Sequence, residues 1–116
     1  MNLSLEKQAI VEAFERGYII TEVGDVISPK GLIMSQFMNP KGYLEFAFRF
    51  RNGKKKNIKV HMYQAYMKFG DMSLLVKAVN HVDKNKLNNH IDNIQLSTLK
   101  EAYRRSLETK RKKKGR

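Results

Sequence analysis

Residues 43–51, YLEFAFRFR, alternate phenylalanines with mostly charged side chains. Phe46, Phe48 and Phe50 fall on one side of an extended chain, and the positions between them fall on the other. This period of two predicts a β-strand with one buried face. Since a slip of one residue would turn every phenylalanine toward solvent, the register of the partner strand is strongly constrained.

The expected partner strand is NIKVH, residues 57–61, which RNGKKK connects to the first strand. The Asn-Gly dipeptide is typical of a two-residue hairpin turn. Such a turn would place Phe50 opposite Lys55 and would turn Ile58 away from the phenylalanines. A loop with an odd number of residues, three or five, instead places Ile58 and Val60 on the same face of the hairpin as the phenylalanines. We therefore predict the longer loop.

The same hairpin concentrates positive charge on the side away from the core. A merely solvated face would be expected to mix charges of both signs, and this one has few acids. A basic face with a basic turn instead favours contact with nucleic-acid phosphates. The residues expected to make that contact are Arg49, Arg51 and Lys59 on the outer face and Lys54, Lys55 and Lys56 at the tip.

The chain as a whole is basic, with 23 Lys and Arg against 11 Asp and Glu and a net charge of +12. Such a chain is attracted to polyanions, of which nucleic acid is the commonest. Cysteine is absent, which excludes disulfides and cysteine-ligated zinc. The N-terminus lacks the pattern of a secretory signal, and no apolar run could span a bilayer. We expect a soluble intracellular protein that acts in the cytoplasm.

Other segments predict helices and short strands around this hairpin. Ser4 can cap a helix that runs to about Arg16, just before Gly17. A second helix is predicted over residues 61–69 and ends at Gly70. Further strands are expected in YIITEV (18–23), VIS (26–28), LIMSQF (32–37), SLLVKAV (73–79) and NIQLS (93–97).

The segment VNHVDKNKLNNHIDNIQLS (79–97) connects the last two of these strands through a polar loop and includes the second of them. His81 ends the first strand and Asn93 opens the second, so a hairpin would bring the two side chains together. An amide oxygen on one imidazole nitrogen fixes the tautomer and leaves the other nitrogen free to accept a proton from water. Phosphodiester hydrolysis needs such a base and a divalent cation, to which Asn80 could offer an oxygen ligand.

This segment resembles the finger of HNH endonucleases, the ββα-metal fold of phage and intron homing endonucleases. The resemblance continues upstream through YIITEVGDVISPKG, KGYLEF and KVHMYQAYMKF, and it covers the chain from about Tyr18 to Glu101. Thr98 and Glu101 would form a capping box at the start of the finger's helix. The matching positions are Asn80, His81, Asp83, Asn85, Lys86, Asn88, Asn89, Asn93, Thr98 and Glu101.

The resemblance implies a role for each of these side chains. His81 would be the general base, Asn93 would orient His81, and Asn80 would bind the metal, Mg²⁺ or Mn²⁺. Double-stranded DNA is the implied partner. Asn85, Asn88 and Asn89 would brace the loop. Lys84 replaces a glycine of the family pattern and adds charge near the DNA, and we expect it to contact DNA together with Lys86, Arg104 and Arg105.

Ala102 departs from the family pattern, which places Asn or His there as the second metal ligand. Alanine offers no lone pair, so the cation would depend on Asn80, DNA phosphates and water. Two interpretations stay open: a nicking endonuclease with weakened metal binding, and a DNA-binding protein that has lost cleavage. RNA binding fits the charge but does not account for the asparagine-rich finger. A metal site at His61, His81 and His90 is disfavoured because isolated histidines are usually packed or solvated.

The predicted fold class is α+β, with an N-terminal helix and a small antiparallel sheet followed by an HNH-like ββα finger and a basic C-terminal helix. Residues 1–70 would form the part that contacts DNA, residues 71–108 the finger, and residues 109–116 a basic tail. No membrane contact is expected, and the sequence specifies no oligomeric state.

Overall fold

The α+β fold class is confirmed in residues 3–76 and 78–96, the part of the chain that the computed structural model describes. Three helices and three small antiparallel sheets make up this part. The predicted C-terminal helix and tail lie outside the described residues. The elements are α1 Leu5–Glu15, β1 Ile19–Ile20, β2 Val26–Ile27, β3 Gln36–Met38, β4 Leu44–Arg49, β5 Lys55–Lys59, α2 Val60–Phe69, α3 Met72–Leu75, β6 Asn80–His81, a 3-10 turn Ile91–Asn93, and β7 Ile94–Gln95.

Helix α1 begins at the predicted cap. The hydroxyl of Ser4 accepts a hydrogen bond from the backbone N–H of Lys7 at 3.2 Å, which satisfies a donor that the first turn leaves free. Gly17, with a φ of 94°, lies just beyond the last turn. The buried stripe of α1, Ala9, Ile10 and Ala13, packs against the sheet.

The β4–β5 hairpin has the predicted odd-numbered loop. Phe46 pairs with Ile58, and Phe48 pairs with Lys56. The backbone N–H of Phe50 donates to the carbonyl of Lys54 at 2.8 Å, which leaves three residues at the tip. Because the loop length is odd, Ile58 joins the phenylalanines in the core.

Three strand predictions are corrected. Val60 is buried as expected but begins α2, so β5 ends at Lys59, two residues before the predicted end at His61. In the segment 32–37 only the end is a strand, and Ile33 makes a single bridge to Ile27. The predicted strand over residues 73–79 is mostly the short helix α3 and an irregular stretch, because Gly70 reverses the chain and a helical turn buries Leu74 against the core.

Helix α2 belongs to both hydrophobic clusters of the described residues and therefore joins the sheet to the finger. Val60 and Tyr63 pack with the phenylalanines of β4, whereas Ala65 packs with residues of the finger. The Lys68 ammonium donates to the carbonyls of Ile91 and Ile94 at 2.9 and 3.0 Å. The finger-side cluster consists of Ala65, Val76, Val79, Ile94 and Leu96.

In the part of the chain that the structure describes, none of the helices has both the length and the apolar character needed to cross a membrane.

Candidate functional site

The finger is built on a short hairpin with an antiparallel register. In it Asn80 pairs with Gln95 and His81 pairs with Ile94. The backbone N–H of Val82 continues the ladder by donating to the carbonyl of Asn93 at 2.8 Å. The predicted order of strand, polar loop and strand is therefore confirmed, with a 3-10 turn just before the second strand.

The imidazole of His81 is held by the side chain of Asn89. Its Nε2 lies 2.7 Å from Oδ1 of Asn89, and His81 is only 8% exposed. Since an amide oxygen only accepts hydrogen bonds, Nε2 is the donor in this contact. Among the described residues, no group hydrogen-bonds the other ring nitrogen, Nδ1.

The prediction that Asn93 contacts and orients His81 is wrong. Oδ1 of Asn93 accepts from the N–H of Asp83 at 3.0 Å, and Nδ2 donates to Asp83 and to the carbonyl of Asn88. The register gives the reason, because Ile94, rather than Asn93, lies directly opposite His81. Neighbouring positions of a strand face opposite ways. Asn93 therefore holds the loop together, and Asn89 orients the His81 ring.

The loop is closed by a network centred on Asp83. Its carboxylate accepts from the side chains of Asn88 and Asn93 at 2.8 and 2.9 Å and from the N–H of Asn85 at 2.8 Å. These hydrogen bonds, of which the one from Asn88 has the largest effect, hold the pKa of Asp83 below its ordinary value. Asn85 also accepts from the N–H of Leu87, as an asparagine in a turn commonly does. Asn85 and Asn88 thus brace the loop.

Asn89 is positioned by residues that are distant in sequence. Nε2 of Gln64, a buried residue of α2, donates to the Asn89 carbonyl at 2.8 Å and to the Thr21 carbonyl at 2.9 Å. Gly24, at a φ of 100°, lies so close that a Cβ there would be 3.0 Å from Cβ of Asn89. The geometry of His81 therefore depends on the β1–β2 turn and on α2 as well as on the finger.

Sequence reasoning missed two aromatic neighbours of His81. The His61 ring lies 5.0 Å from the His81 ring, and the Tyr43 ring lies 4.7 Å from that of His61 and 6.1 Å from that of His81. Burial, with smaller effects of His81 and Lys59, lowers the pKa of His61 to about 3, so His61 is neutral. Its position with Gln64 on the buried side of α2 is a signal that helical periodicity could have found.

A cavity of about 440 Å³ lies beside His81. Lys84 and Lys86 line it, and no acidic residue does so among those described. The Lys86 ammonium donates to the Lys41 carbonyl at 2.8 Å and lies 4.8 Å from the centre of the Tyr43 ring. The cavity suits an anion such as a phosphate group. Its lining residues are Tyr43, Val79, Asn80, His81, Val82, Lys84, Lys86 and Gln95.

Lys84 has a φ of 63°, the one positive value outside glycine in the described chain. In the family pattern this position is glycine, which adopts such a conformation without strain. The exposed lysine here costs backbone energy at a position that lines the cavity.

The basic face of the sheet carries more acid than expected. Lys59 pairs with Glu6 at 2.9 Å, and Glu45 lies opposite Lys59 in the sheet. Near the start of β4 this face therefore carries both negative and positive charges, because α1 places Glu6 against β5. Arg49, Arg51 and Lys54 to Lys56 are exposed toward the hairpin tip, where the expected concentration of positive charge is found. Arg104, Arg105 and Ala102 lie outside the described residues.

Oxygen donors for a divalent cation are few. Asn80 is exposed and lines the cavity, and its amide oxygen is a ligand that Mg²⁺ and Mn²⁺ accept. Both oxygens of Asp83 are engaged within the loop. Among the described residues, no three His, Asp or Glu side chains converge on one point, including His61, His81 and His90. The residues present fit a cation held mainly by neutral oxygens.

No protein-family model matches the chain. The chain is 35% identical over 91 residues to YosQ of Bacillus subtilis (strain 168), a SPbeta prophage-derived protein whose name places it among HNH homing endonucleases. The match covers 78% of this chain and 52% of that relative.

The fold is similar to that of the HNH homing endonuclease I-HmuI, whose solved structure concerns DNA binding and cleavage by that enzyme. The TM-score is 0.57 at 23% identity, over 94% of this chain and 59% of the other. The chain thus spans little more than half the length of the proteins it matches.

Proposed function

The chain belongs to the HNH endonuclease family, and we propose that it binds double-stranded DNA and hydrolyses a phosphodiester bond with His81 as general base. The observation that carries this proposal is the 2.7 Å hydrogen bond between His81 and Asn89, in which Nε2 is the donor and Nδ1 is left without a partner among the described residues. His81 lines a cavity that contains two lysines and no described acid.

His81 would remove a proton from the attacking water through Nδ1. The Asn89 oxygen continues to accept from Nε2 as the ring becomes positively charged, so the bond strengthens when the proton arrives. The neutral His61 ring beside it adds no repulsive charge. The ring is thus held in one tautomer and one orientation before the substrate binds.

The metal would be held by Asn80 at the mouth of the cavity. A bound Mg²⁺ or Mn²⁺ would stabilise the leaving oxygen and the charge that develops on the phosphate. Lys84 and Lys86 would hold the DNA phosphates, and the loop braced by Asn85 and Asn88 would keep both lysines beside the cavity.

Binding would extend from the cavity to the tip of the β4–β5 hairpin. From Tyr43 to Arg49 the chain spans roughly 20 Å at about 3.3 Å per residue, or about six base pairs of duplex. Cations at both ends of this distance favour duplex DNA over a compact ligand. Arg49, Arg51, Lys54, Lys55 and Lys56 would provide the distal contacts, and Arg104 and Arg105 would add to them.

A DNA-binding protein without cleavage activity is the second candidate. The observation that favours it is Ala102, which cannot supply the ligand expected at that position. Loss of a ligand to a weakly held cation lowers the rate, because catalysis depends on the metal being held. The prophage-derived relative suggests a phage context, and action on DNA would then take place in the host cytoplasm.

The two candidates are separated by incubating supercoiled plasmid with the protein and Mg²⁺ or Mn²⁺. We expect conversion to the open circular form over time, loss of conversion with EDTA, and loss with His81→Ala. His90→Ala is the matched control, because this histidine lies in the same finger but outside the cavity. A mobility shift without nicking in any condition would support the inactive candidate.

A further inference from the structure

Gln95 lies directly across the finger hairpin from Asn80. The two residues are Cα partners in the β6–β7 register, so their side chains share one face. Directly opposite residues have Cβ atoms about 4.5–5.5 Å apart. Two amide side chains at this spacing can bring their oxygens to a single cation.

Both amides are also available. Asn80 and Gln95 are exposed, and both line the cavity that contains His81. Within residues 3–76 and 78–96, neither side chain makes a hydrogen bond, whereas most of the other asparagines of the finger use their amides to close the loop. Among the described residues, the amide of Gln95 therefore has no structural partner in the hairpin.

We propose that Gln95 is the second protein ligand of the divalent cation and supplies the oxygen that Ala102 cannot. This inference rests on the proposed nuclease function for its biological meaning. The pair Asn80–Gln95 offers two neutral amide oxygens, which hard cations accept alongside water and phosphate. Asp83, three residues after Asn80, has its oxygens bound within the loop, and Asp92, three residues before Gln95, does not line the cavity.

The affinity of this site for a divalent cation depends on its neutral ligands and on the neighbouring lysines. Since no carboxylate of the described residues lines the cavity and Lys84 and Lys86 lie beside it, the cation is bound weakly by the protein alone, with a Kd on the order of millimolar. Duplex DNA brings phosphate oxygens to the cation and offsets the charge of the lysines. The site is therefore completed by its substrate.

The test is a Mn²⁺ titration of the full chain, followed by paramagnetic broadening of backbone amide signals in ¹H–¹⁵N NMR spectra. Broadening is expected to be centred on residues 80 and 95. Gln95→Leu should weaken Mn²⁺ binding about tenfold, and Gln95→Glu should tighten it about tenfold, because the charge of the ligand set governs affinity. Gln8→Leu and Gln8→Glu make the same changes on α1 and should leave the Mn²⁺ Kd within about twofold of the wild-type value.

The inference is overturned if Gln95→Leu, shown to be folded by its amide spectrum, binds Mn²⁺ like the wild-type protein, or if broadening is centred elsewhere. The plasmid assay is read separately. Mn²⁺ binding that depends on Gln95 without any nicking supports the ligand and contradicts the nuclease proposal. If nicking depends on His81 but Mn²⁺ binding does not depend on Gln95, the nuclease proposal is supported and the ligand role of Gln95 is contradicted.

Discussion

Oδ1 of Asn89 lies 2.7 Å from Nε2 of His81, across a loop of seven residues. If this bond sets the tautomer of the base, Asn89→Ala will lower the nicking rate by roughly 10- to 100-fold, because a misplaced base loses its alignment with the attacking water. The DNA Kd should change little. Asn89→Asp, which can still accept from Nε2, should recover most of the rate in single-turnover nicking.

Asn93→Ala provides the contrast to the Asn89 variants. Asn93 makes three hydrogen bonds within the loop, so its loss should lower the free energy of unfolding by about 2–4 kcal/mol in urea denaturation. If Asn89→Ala lowered stability as much as Asn93→Ala and Asn89→Asp failed to recover activity, Asn89 would be a loop brace only.

Lys84→Gly should stabilise the fold and weaken DNA binding. Glycine relieves the cost of a positive φ, about 1–2 kcal/mol, but increases the entropy of the unfolded chain, so the free energy of unfolding should rise by up to about 1 kcal/mol. DNA binding should weaken, with the slope of log K against log salt reduced by about 1. Fluorescence anisotropy with a labelled duplex measures the slope, and Lys30→Ala is the control for loss of a charge elsewhere. An unchanged slope would remove Lys84 from the DNA surface.

His61 should make the fold sensitive to acid. Its pKa is about 3 in the folded protein against 6.5 when unfolded, so the unfolded state binds more protons between these values. The free energy of unfolding therefore decreases as pH falls from about 6.5 toward 3, by up to roughly 1.4 kcal/mol per pH unit. Asp83, whose pKa is lowered, adds a loss in the same direction once the pH falls below its ordinary value.

His61→Phe tests this account because it keeps a neutral ring and removes the titrating group. Its free energy of unfolding should fall less steeply between pH 6 and pH 4 than that of the wild-type protein, in urea titrations at each pH. Ile10→Val, a small change in the same hydrophobic core, should keep the wild-type pH dependence. Equal slopes for His61→Phe and the wild-type protein would show that another group titrates.

Two lysines of β5 should contribute unequally to DNA binding. Lys55 is exposed near the hairpin tip, and its replacement by Ala should reduce the salt slope by about 0.9. Lys59 is paired with Glu6, so Lys59→Ala should change the slope less and lower the free energy of unfolding by up to about 1 kcal/mol. If the two variants reduced the salt slope of DNA binding equally, Lys59 would have to leave Glu6 and contact the DNA.

The sequence alone determined the elements whose signals are local. Alternating phenylalanines required an odd-numbered loop between β4 and β5, because an even one would have exposed Ile58. Ser4 located the start of α1, since a cap acts within one turn. The motif around His81 identified the family and the hairpin, which depend on the order of residues along a short segment.

Only the tertiary structure decided which side chains meet at the site. Asn89, rather than Asn93, reaches His81, because the strand register turns Asn93 away and Gln64 holds Asn89 from another element. His61 comes beside His81 only when α2 packs against the finger, and Glu6 reaches Lys59 only when α1 packs against β5. Contacts between residues 20 to 53 positions apart depend on how the elements pack, and a local pattern carries no information about that packing.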